Sequence, residues 1–170
     1  MKNFLKNQKT CPQYLKHSFY RRGMSIVEVL IVISIIGILT AIVLPQFSKV
    51  KENQVLKNAV SEIISALHNA QSQSLASKDF SEYGVYFQPD KISIFKGKIF
   101  NEEALDNNTI NIVLPATISS VLFNGASSST GEVYFQRLSG FPNKVGTITV
   151  STPSYSKIIT ISTTGTVSVN

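Results

Sequence analysis

The stretch RRGMSIVEVLIVISIIGILTAIVL, residues 21–44, decides the fold, because two arginines and a glycine run directly into a long apolar segment. Residues 24–44 contain a single ionisable side chain, that of Glu28. At about 1.5 Å per residue, a helix of this length crosses the roughly 30 Å hydrocarbon layer of a bilayer. We therefore predict a membrane-spanning helix over this segment.

Glu28 is the anomaly in this helix, since a carboxylate near the middle of a membrane helix costs about 2.5 to 3.5 kcal/mol, and less near an end. Two interpretations are open. In the first, cleavage after Gly23 frees the α-amino group of Met24, and the amine of a neighbouring subunit pairs with Glu28 in apolar surroundings. In the second, the Glu28 side chain reaches the lipid headgroups from one turn inside the membrane.

The combination of a basic leader, Gly23, Met24, Glu28 and an apolar helix resembles the signature of type IV prepilins. Gly37 and Pro45 also fall where pilins often place a glycine and a helix-loosening proline. The resemblance implies that a prepilin peptidase cleaves between Gly23 and Met24, that Met24 is then N-methylated, and that Glu28 helps subunits to enter a helical fibre. Met24 is a departure, because most type IV pilins begin the processed chain with phenylalanine.

Other kinds of N-terminal signal fit the residues less well. A secretory signal peptide ends its apolar core after about 7 to 15 residues, at a small-x-small cleavage site. The core is longer here, and residues 43–45 provide no such site. A lipoprotein signal needs a cysteine after the apolar core, whereas Cys11, the only cysteine, precedes it. An uncut signal anchor remains the alternative.

The distribution of charge predicts the orientation of the chain. Residues 1–23 contain six lysines or arginines and no acid, and the positive-inside rule keeps such an end in the cytoplasm. Because residues 24–170 hold ten basic and ten acidic side chains, the leader accounts for the net charge of +6. That charge is therefore no argument for a nucleic-acid partner. We predict a single-pass protein of the cytoplasmic (inner) membrane; the resemblance adds a later place in a pilus or pseudopilus, in the periplasm or at the cell surface.

Helical periodicity returns beyond Pro45. Apolar residues recur between residues 60 and 75 with i, i+3, i+4, i+7 spacing, which indicates a helix that packs on a domain instead of on lipid. Proline removes a backbone hydrogen bond inside a helix. We therefore predict one long helix from about Met24 to Ser77 that is kinked at Pro45.

Short strand-like runs occupy the rest of the chain. Residues 84–88 and 91–95 flank the turn pair Pro89-Asp90, which predicts a hairpin. Similar runs, separated by Gly, Pro, Asn and Ser, follow at 110–114, 118–123, 133–138, 147–150, 157–161 and 166–169. We expect six or seven strands from these eight runs, in an antiparallel sheet or sandwich, and the last two runs predict a terminal hairpin around Gly165.

The predicted fold class is α+β, with a long N-terminal helix, half in the membrane and half amphipathic, packed on a C-terminal antiparallel β-sheet or sandwich, as in pilins. The predicted parts are a cleaved basic leader (1–23), a transmembrane and assembly helix (24–45), an amphipathic helix (46–80) and a β-rich globular domain (81–170). Through residues 68–76 and the closing hairpin, the second half resembles the GspH/FimT class of minor pseudopilins and minor pilins. Some members of that class bind DNA through basic residues near the C-terminus. Residues 165–170 contain none, which disfavours nucleic-acid binding.

Catalysis and metal binding have little support in the sequence. The predicted mature chain contains one histidine, His68, and no cysteine, whereas a metal site needs three or four convergent ligands. The serines at 127–129 lie in a polar loop without a G-x-S-x-G elbow. Glu102, Glu103 and Asp106 lack the regular spacing of a calcium loop, so we interpret them as a solvated turn, with a calcium site as the alternative. We predict no enzyme, no cofactor and no metal.

The predicted function is therefore structural: a minor pilin or pseudopilin of a type IV pilus, a type II secretion system or a DNA-uptake filament. The resemblance implies three kinds of partner, namely other pilin or pseudopilin subunits, the prepilin peptidase and an inner-membrane assembly platform. The alternative is an uncut single-pass membrane protein whose external β-domain binds a ligand or a peptide.

Overall fold

A computed structural model describes residues 23–170, apart from the side chains of residues 44 and 45. A single 50-residue helix, α1 (Ile26–Leu75), begins the described part. Its ends lie within two residues of the predicted limits. A helix satisfies its own backbone hydrogen bonds, which an apolar segment in lipid requires. Residues 1–22 of the predicted leader lie outside the described residues. Helix α1 continues through Pro45, and the kink predicted there stays a prediction.

The chain divides into two compact units, residues 1–40 and residues 41–170. In the first unit the described residues are 23–40, which comprise the part of helix α1 up to Thr40 and the three residues before the helix. The second unit contains the remainder of α1 and every strand found in residues 23–170.

Nine strands form two sheets in the described part of the chain. A 3₁₀ turn, Lys78–Phe80, separates α1 from the first strand. The strands are β1 (Tyr83–Phe87), β2 (Lys91–Lys96), β3 (Asn108–Asn111), β4 (Thr117–Phe123), β5 (Ala126–Ser128), β6 (Gly131–Phe135), β7 (Gly146–Ser151), β8 (Ser156–Ile161) and β9 (Val167–Val169). One sheet has the order β3-β2-β1-β6 and the other β5-β4-β7-β8-β9, with antiparallel pairing throughout. The predicted α+β fold is confirmed.

Both predicted hairpins are present. Strands β1 and β2 pair from Phe87 opposite Ile92, and the N–H of Gln88 donates to the carbonyl oxygen of Lys91 at 2.9 Å to close the turn. Strands β8 and β9 pair across the turn that contains Gly165, where a φ of +82° suits glycine.

Two strands differ from the prediction by two or more residues, and one segment predicted as a loop forms a strand. Strand β3 lies two to three residues before the predicted run 110–114, and β6 ends at Phe135 instead of residue 138. In the latter case the N–H of Gln136 donates to the carbonyl oxygen of Phe141 and turns the chain. Residues 126–128, which we expected in a loop, form β5 against β4. Asn124 and Gly125 join these strands with φ values of +50° and +85°, the conformation that an Asn-Gly hairpin turn requires.

The core of the second unit lies between one face of α1 and both sheets. That face consists of small and aliphatic side chains that are at most 7% exposed, namely Leu56, Ala59, Val60, Ile63, Ala66, Leu67 and Ala70. They belong to one cluster with β1 residues such as Val85 and with β7 residues such as Ile148. Burial of a side chain such as Ile63 or Leu67 contributes about 1.5 to 3 kcal/mol. This packing accounts for the periodicity between residues 60 and 75.

A second, smaller group of aromatic side chains involves the loop after β2. The ring of Phe100 stacks on Tyr86 with centroids 4.2 Å apart and meets Phe95 edge-on at 5.7 Å. The N–H of Phe100 donates to Oε2 of Glu132 at 3.1 Å. Gly84 leaves room for this packing, because a Cβ there would lie 2.5 Å from Cζ of Phe95. The loop is thereby held against the four-stranded sheet.

Candidate assembly site

The N-terminal end of α1 carries the residues that the sequence predicts for processing and assembly. The carbonyl oxygen of Ser25 accepts hydrogen bonds from the N–H groups of Glu28 (3.0 Å) and Val29 (3.2 Å), so the first helical turn forms directly after Met24. Glu28 lies in this turn, where the partial positive charge of a helix N-terminus favours a carboxylate. The side chains of Met24 and Glu28 are both exposed.

The apolar side chains of this segment are exposed on every side of the helix. They are Ile26, Val27, Val29, Leu30, Ile31, Val32, Ile33, Ile35, Ile36, Ile38 and Leu39 in the first unit, followed by Ile42 and Val43 in the second. The helix is long and apolar enough to cross a membrane, and no part of its most apolar window is buried. A helix that is apolar on every side is removed from water by contact with lipid or with other helices.

Two of the three hydroxyl groups in residues 24–44 are satisfied by the helix itself. Ser34 Oγ donates to the carbonyl oxygen of Leu30 at 2.8 Å, and Thr40 Oγ1 donates to that of Ile36 at 2.7 Å. Such bonds remove the cost of placing a hydroxyl in apolar surroundings. Nothing lies within 4 Å of a Cβ placed on Gly37, so a second helix has space to approach closely there. Glu28 is thus the one side chain of residues 24–44 whose charge calls for a partner.

The other candidate residues do not form a reactive site. His68 is exposed on α1, and the serines 127 and 128 are exposed in β5. Glu102 pairs with Lys91, with Oε1 3.4 Å from Nζ. Asn101 Oδ1 accepts from the N–H of Glu103 at 3.1 Å, which shapes the turn that carries these acids. Within residues 23–170 no three His, Cys, Asp or Glu side chains lie close enough together to hold a metal.

The structure also reveals a charged cluster that sequence reasoning missed, at the end of α1. The hydroxyl of Tyr83 donates to Oδ2 of Asp79 at 2.9 Å, and Nζ of Lys96 lies 3.7 Å from the same oxygen. The Tyr83 hydrogen bond, followed by the charge of Lys96, lowers the pKa of Asp79. Burial, followed by the hydrogen bond to Asp79, raises the pKa of Tyr83 to about 12. These groups satisfy one another beside a cavity of about 210 Å³, so we assign them a structural role.

The connection between α1 and β1 has an unusual backbone. Ser77, Asp79 and Phe80 all have φ near +50°, a region that residues other than glycine seldom adopt. Nη1 of Arg137 donates to the carbonyl oxygen of Phe80 at 3.0 Å, while the Phe80 side chain is 86% exposed. Sequence periodicity does not predict this contact, because Arg137 follows β6, 57 residues further along the chain.

The fold and the exposed apolar helix define the class of protein as α+β, with an N-terminal segment suited to membrane anchoring. Residues 18–44 match the family described as the prokaryotic N-terminal methylation motif. The match includes Gly23, Met24, Glu28 and the apolar helix, and it supports a type IV pilin-like chain that acts as a structural subunit. No curated protein and no solved structure matches the chain.

Proposed function

We propose that the protein is a minor pilin or pseudopilin, an assembly subunit of a type IV pilus, a type II secretion system or a DNA-uptake filament. One observation carries the proposal: the methylation motif matches residues 18–44, and the apolar side chains of helical residues 26–43 are all exposed. The same apolar surface can contact lipid in the membrane and the helices of other subunits in the fibre. The proposed assembly step is the transfer of this helix from the bilayer into the fibre.

Processing precedes assembly in this proposal. The prepilin peptidase removes residues 1–23 by cleavage between Gly23 and Met24, and the new amino group of Met24 is N-methylated. Exposure of both Met24 and the start of α1 supports access by an enzyme. Before cleavage, the basic leader holds this end in the cytoplasm, and the chain resides in the inner membrane until an assembly platform extracts it.

Glu28 supplies the specific contact of the assembly step. Its carboxylate lies at the beginning of an otherwise uncharged helix, and the processed amine of a neighbouring Met24 neutralises it in the fibre. Removal of both charges from water is costly unless they pair. A subunit that enters with the wrong axial offset leaves Glu28 unpaired, so the pair also selects the register between subunits.

The remaining sequence assignments are part of the same proposal. Residues 24–45 form the transmembrane and assembly segment, residues 46–80 the amphipathic segment, and residues 81–170 the displayed β-domain. Pro45 loosens the helix between the first two segments. The likeness of residues 68–76 and of the closing hairpin to the GspH/FimT class supports a low-abundance initiating or tip subunit, or a pseudopilin, over an abundant fibre subunit.

Quantitative mass spectrometry of the N-terminal peptide tests the proposal, applied to sheared surface fibres and to membranes of the native cell. We expect a peptide that begins at a methylated Met24 in both fractions, at low abundance in fibres. A Gly23→Val variant serves as the control, because a bulky side chain at the cleavage site should leave the leader attached. Wild-type protein that keeps its leader in membranes and is missing from fibres would instead identify an uncut single-pass protein with an external binding domain.

A further inference from the structure

A polar groove of about 260 Å³ lies within the second unit, where the first turns after the apolar segment of α1 meet the loop between β7 and β8. Its walls include Gln46, Lys49, Asn53, Gln54 and Lys57 from the helix and Tyr155 from the loop. The groups that converge here are two ammonium groups, three amides and a phenol. All of them can donate hydrogen bonds, which is the chemistry of an anion site.

The helix brings both lysines to the same groove. Lys49, Asn53 and Lys57 are spaced four residues apart, so they share one face of α1. The eight residues from Lys49 to Lys57 correspond to about 12 Å of helical rise, a span that two extended lysine side chains can close around one anion.

Among residues 23–170 no acidic side chain forms an ion pair with the lysines of the groove. In residues 23–170, ion pairs involve four other lysines, which are Lys91, Lys96, Lys98 and Lys144. Neither Lys49 nor Lys57 takes part in an ion pair in that part of the chain. Glu52, the nearest acid to Lys49 in the sequence, does not line the groove; its Oε2 atom is buried and has no hydrogen-bond partner among the described residues.

We propose that this groove binds the phosphate of an anionic phospholipid headgroup. Lys49 follows the end of the apolar segment at residue 44 by five residues, or about 7.5 Å of helical rise, which reaches the outer edge of the headgroup layer of a bilayer. The backbone of Lys57 lies about 12 Å further out, but helical side chains tilt toward the N-terminus of their helix, so its ammonium group extends back toward that layer. Val50, which also lines the groove, and the neighbouring Phe47 are 68% and 71% exposed. They offer apolar surface to the glycerol and upper acyl chain, which a free phosphate ion does not need. The proposal rests on membrane insertion of residues 24–44, but not on leader cleavage or fibre assembly.

Native mass spectrometry of the full chain in detergent tests the site, with phosphatidylglycerol and phosphatidylcholine titrated separately and soluble glycerol phosphate added as a competitor. We expect retention of phosphatidylglycerol over zwitterionic phosphatidylcholine. Each of the variants Lys49→Gln and Lys57→Gln should weaken it about fivefold, the factor that corresponds to about 1 kcal/mol per lysine. Lys51→Gln is the matched control, since it removes the same charge from the same segment but does not line the groove.

The control separates a defined site from diffuse attraction between a basic segment and acidic lipid. An unchanged affinity in Lys51→Gln, together with losses in the other two variants, supports the proposal. Equal losses in all three variants, or equal retention of the two lipids, would overturn it. Displacement of the lipid by equimolar glycerol phosphate would also overturn it, because the site would then recognise the free anion. Since no step of this experiment involves the peptidase or a fibre, its failure would leave the assembly proposal standing.

Discussion

Ser74 at the end of helix α1 and Tyr83 at the start of β1 exchange hydrogen bonds. The N–H of Tyr83 donates to Ser74 Oγ at 2.8 Å, and the hydroxyl of Ser74 donates to the carbonyl oxygen of Tyr83 at 3.3 Å. The carbonyl oxygen of Ser74 also accepts from the N–H of Leu138 at 3.0 Å. One fully buried serine therefore links the helix to β1 and to the loop after β6.

A Ser74→Ala substitution should destabilise this junction. The N–H and the carbonyl oxygen of Tyr83 would lose their partner in a buried position, and an unsatisfied buried group costs about 1 to 3 kcal/mol. We expect a loss of that size in chemical unfolding of the full chain in detergent. Ser72→Ala, two residues earlier on an exposed part of the helix, should change the free energy of unfolding by less than about 0.5 kcal/mol. Equal effects of the two substitutions would show that the hydrogen bonds between Ser74 and Tyr83 do not stabilise the junction.

Tyr83 predicts a loss of stability at high pH. Its pKa is raised to about 12 in the folded state, whereas an unfolded tyrosine titrates near pH 10. Below about pH 10 both states hold the proton. Between about pH 10 and 12 the unfolded state releases it more readily, so the free energy of unfolding falls with rising pH. Denaturant titrations across this range should show a steeper fall for the wild type than for Tyr83→Phe, and parallel curves would refute the prediction.

Asp79 should control part of the same titration. An Asp79→Asn substitution removes the carboxylate that accepts the Tyr83 hydrogen bond, so the pKa of Tyr83 should fall. It should stay above its ordinary value, because burial is the larger cause of the shift. The phenolate absorbance of the folded protein measures this pKa, with Tyr83→Phe subtracted to isolate the one residue. Glu82→Gln, three residues along the chain, is the control for the loss of a negative charge and should leave the pKa of Tyr83 unchanged.

The packing around Gly84 in the four-stranded sheet leaves no space for a larger side chain. A Gly84→Ala substitution would place its Cβ 2.5 Å from Phe95 and 2.7 Å from the carbonyl oxygen of Val133. The backbone atom cannot move aside as a side chain can, so we expect a loss of about 1 to 3 kcal/mol in the free energy of unfolding. Gly37→Ala, where a Cβ meets nothing within 4 Å, should leave the unfolding of the β-region unchanged. If Gly84→Ala is as stable as Gly37→Ala, the packing of Phe95 against Gly84 is wrong.

The sequence predicted the parts of the fold that local patterns determine. The β1–β2 hairpin followed from two strand-like runs on either side of the turn pair Pro89-Asp90. The long helix followed from the apolar run of residues 24–44 and from hydrophobic periodicity beyond Pro45. Strand β5 was missed because its residues are small and polar, which is atypical of strands. The dipeptide Asn124-Gly125 carried the signal for that hairpin, but the serines that follow it favoured a loop.

The sites that depend on distant residues could not be predicted. The groove joins Lys49 and Lys57 to Tyr155, which lies in the loop before β8, and no local pattern relates them. The turn at Phe80 likewise depends on Arg137. In contrast, Gly23, Met24 and Glu28 form a contiguous motif, so the sequence alone was sufficient to propose their roles.

Glu28 provides the most direct test of the assembly mechanism. A Glu28→Gln substitution keeps the size of the side chain and removes its charge, so insertion into the membrane should be retained or slightly improved. Incorporation into fibres should fall at least about tenfold, because the amine of a neighbouring Met24 would be buried without its counter-ion. The ratio of fibre to membrane abundance, measured by quantitative peptide mass spectrometry, checks this. Glu62→Gln, which removes an acid from the second unit, is the matched control and should assemble normally. Normal incorporation of Glu28→Gln would show that Glu28 reaches the headgroups instead and that no charge pair guides assembly.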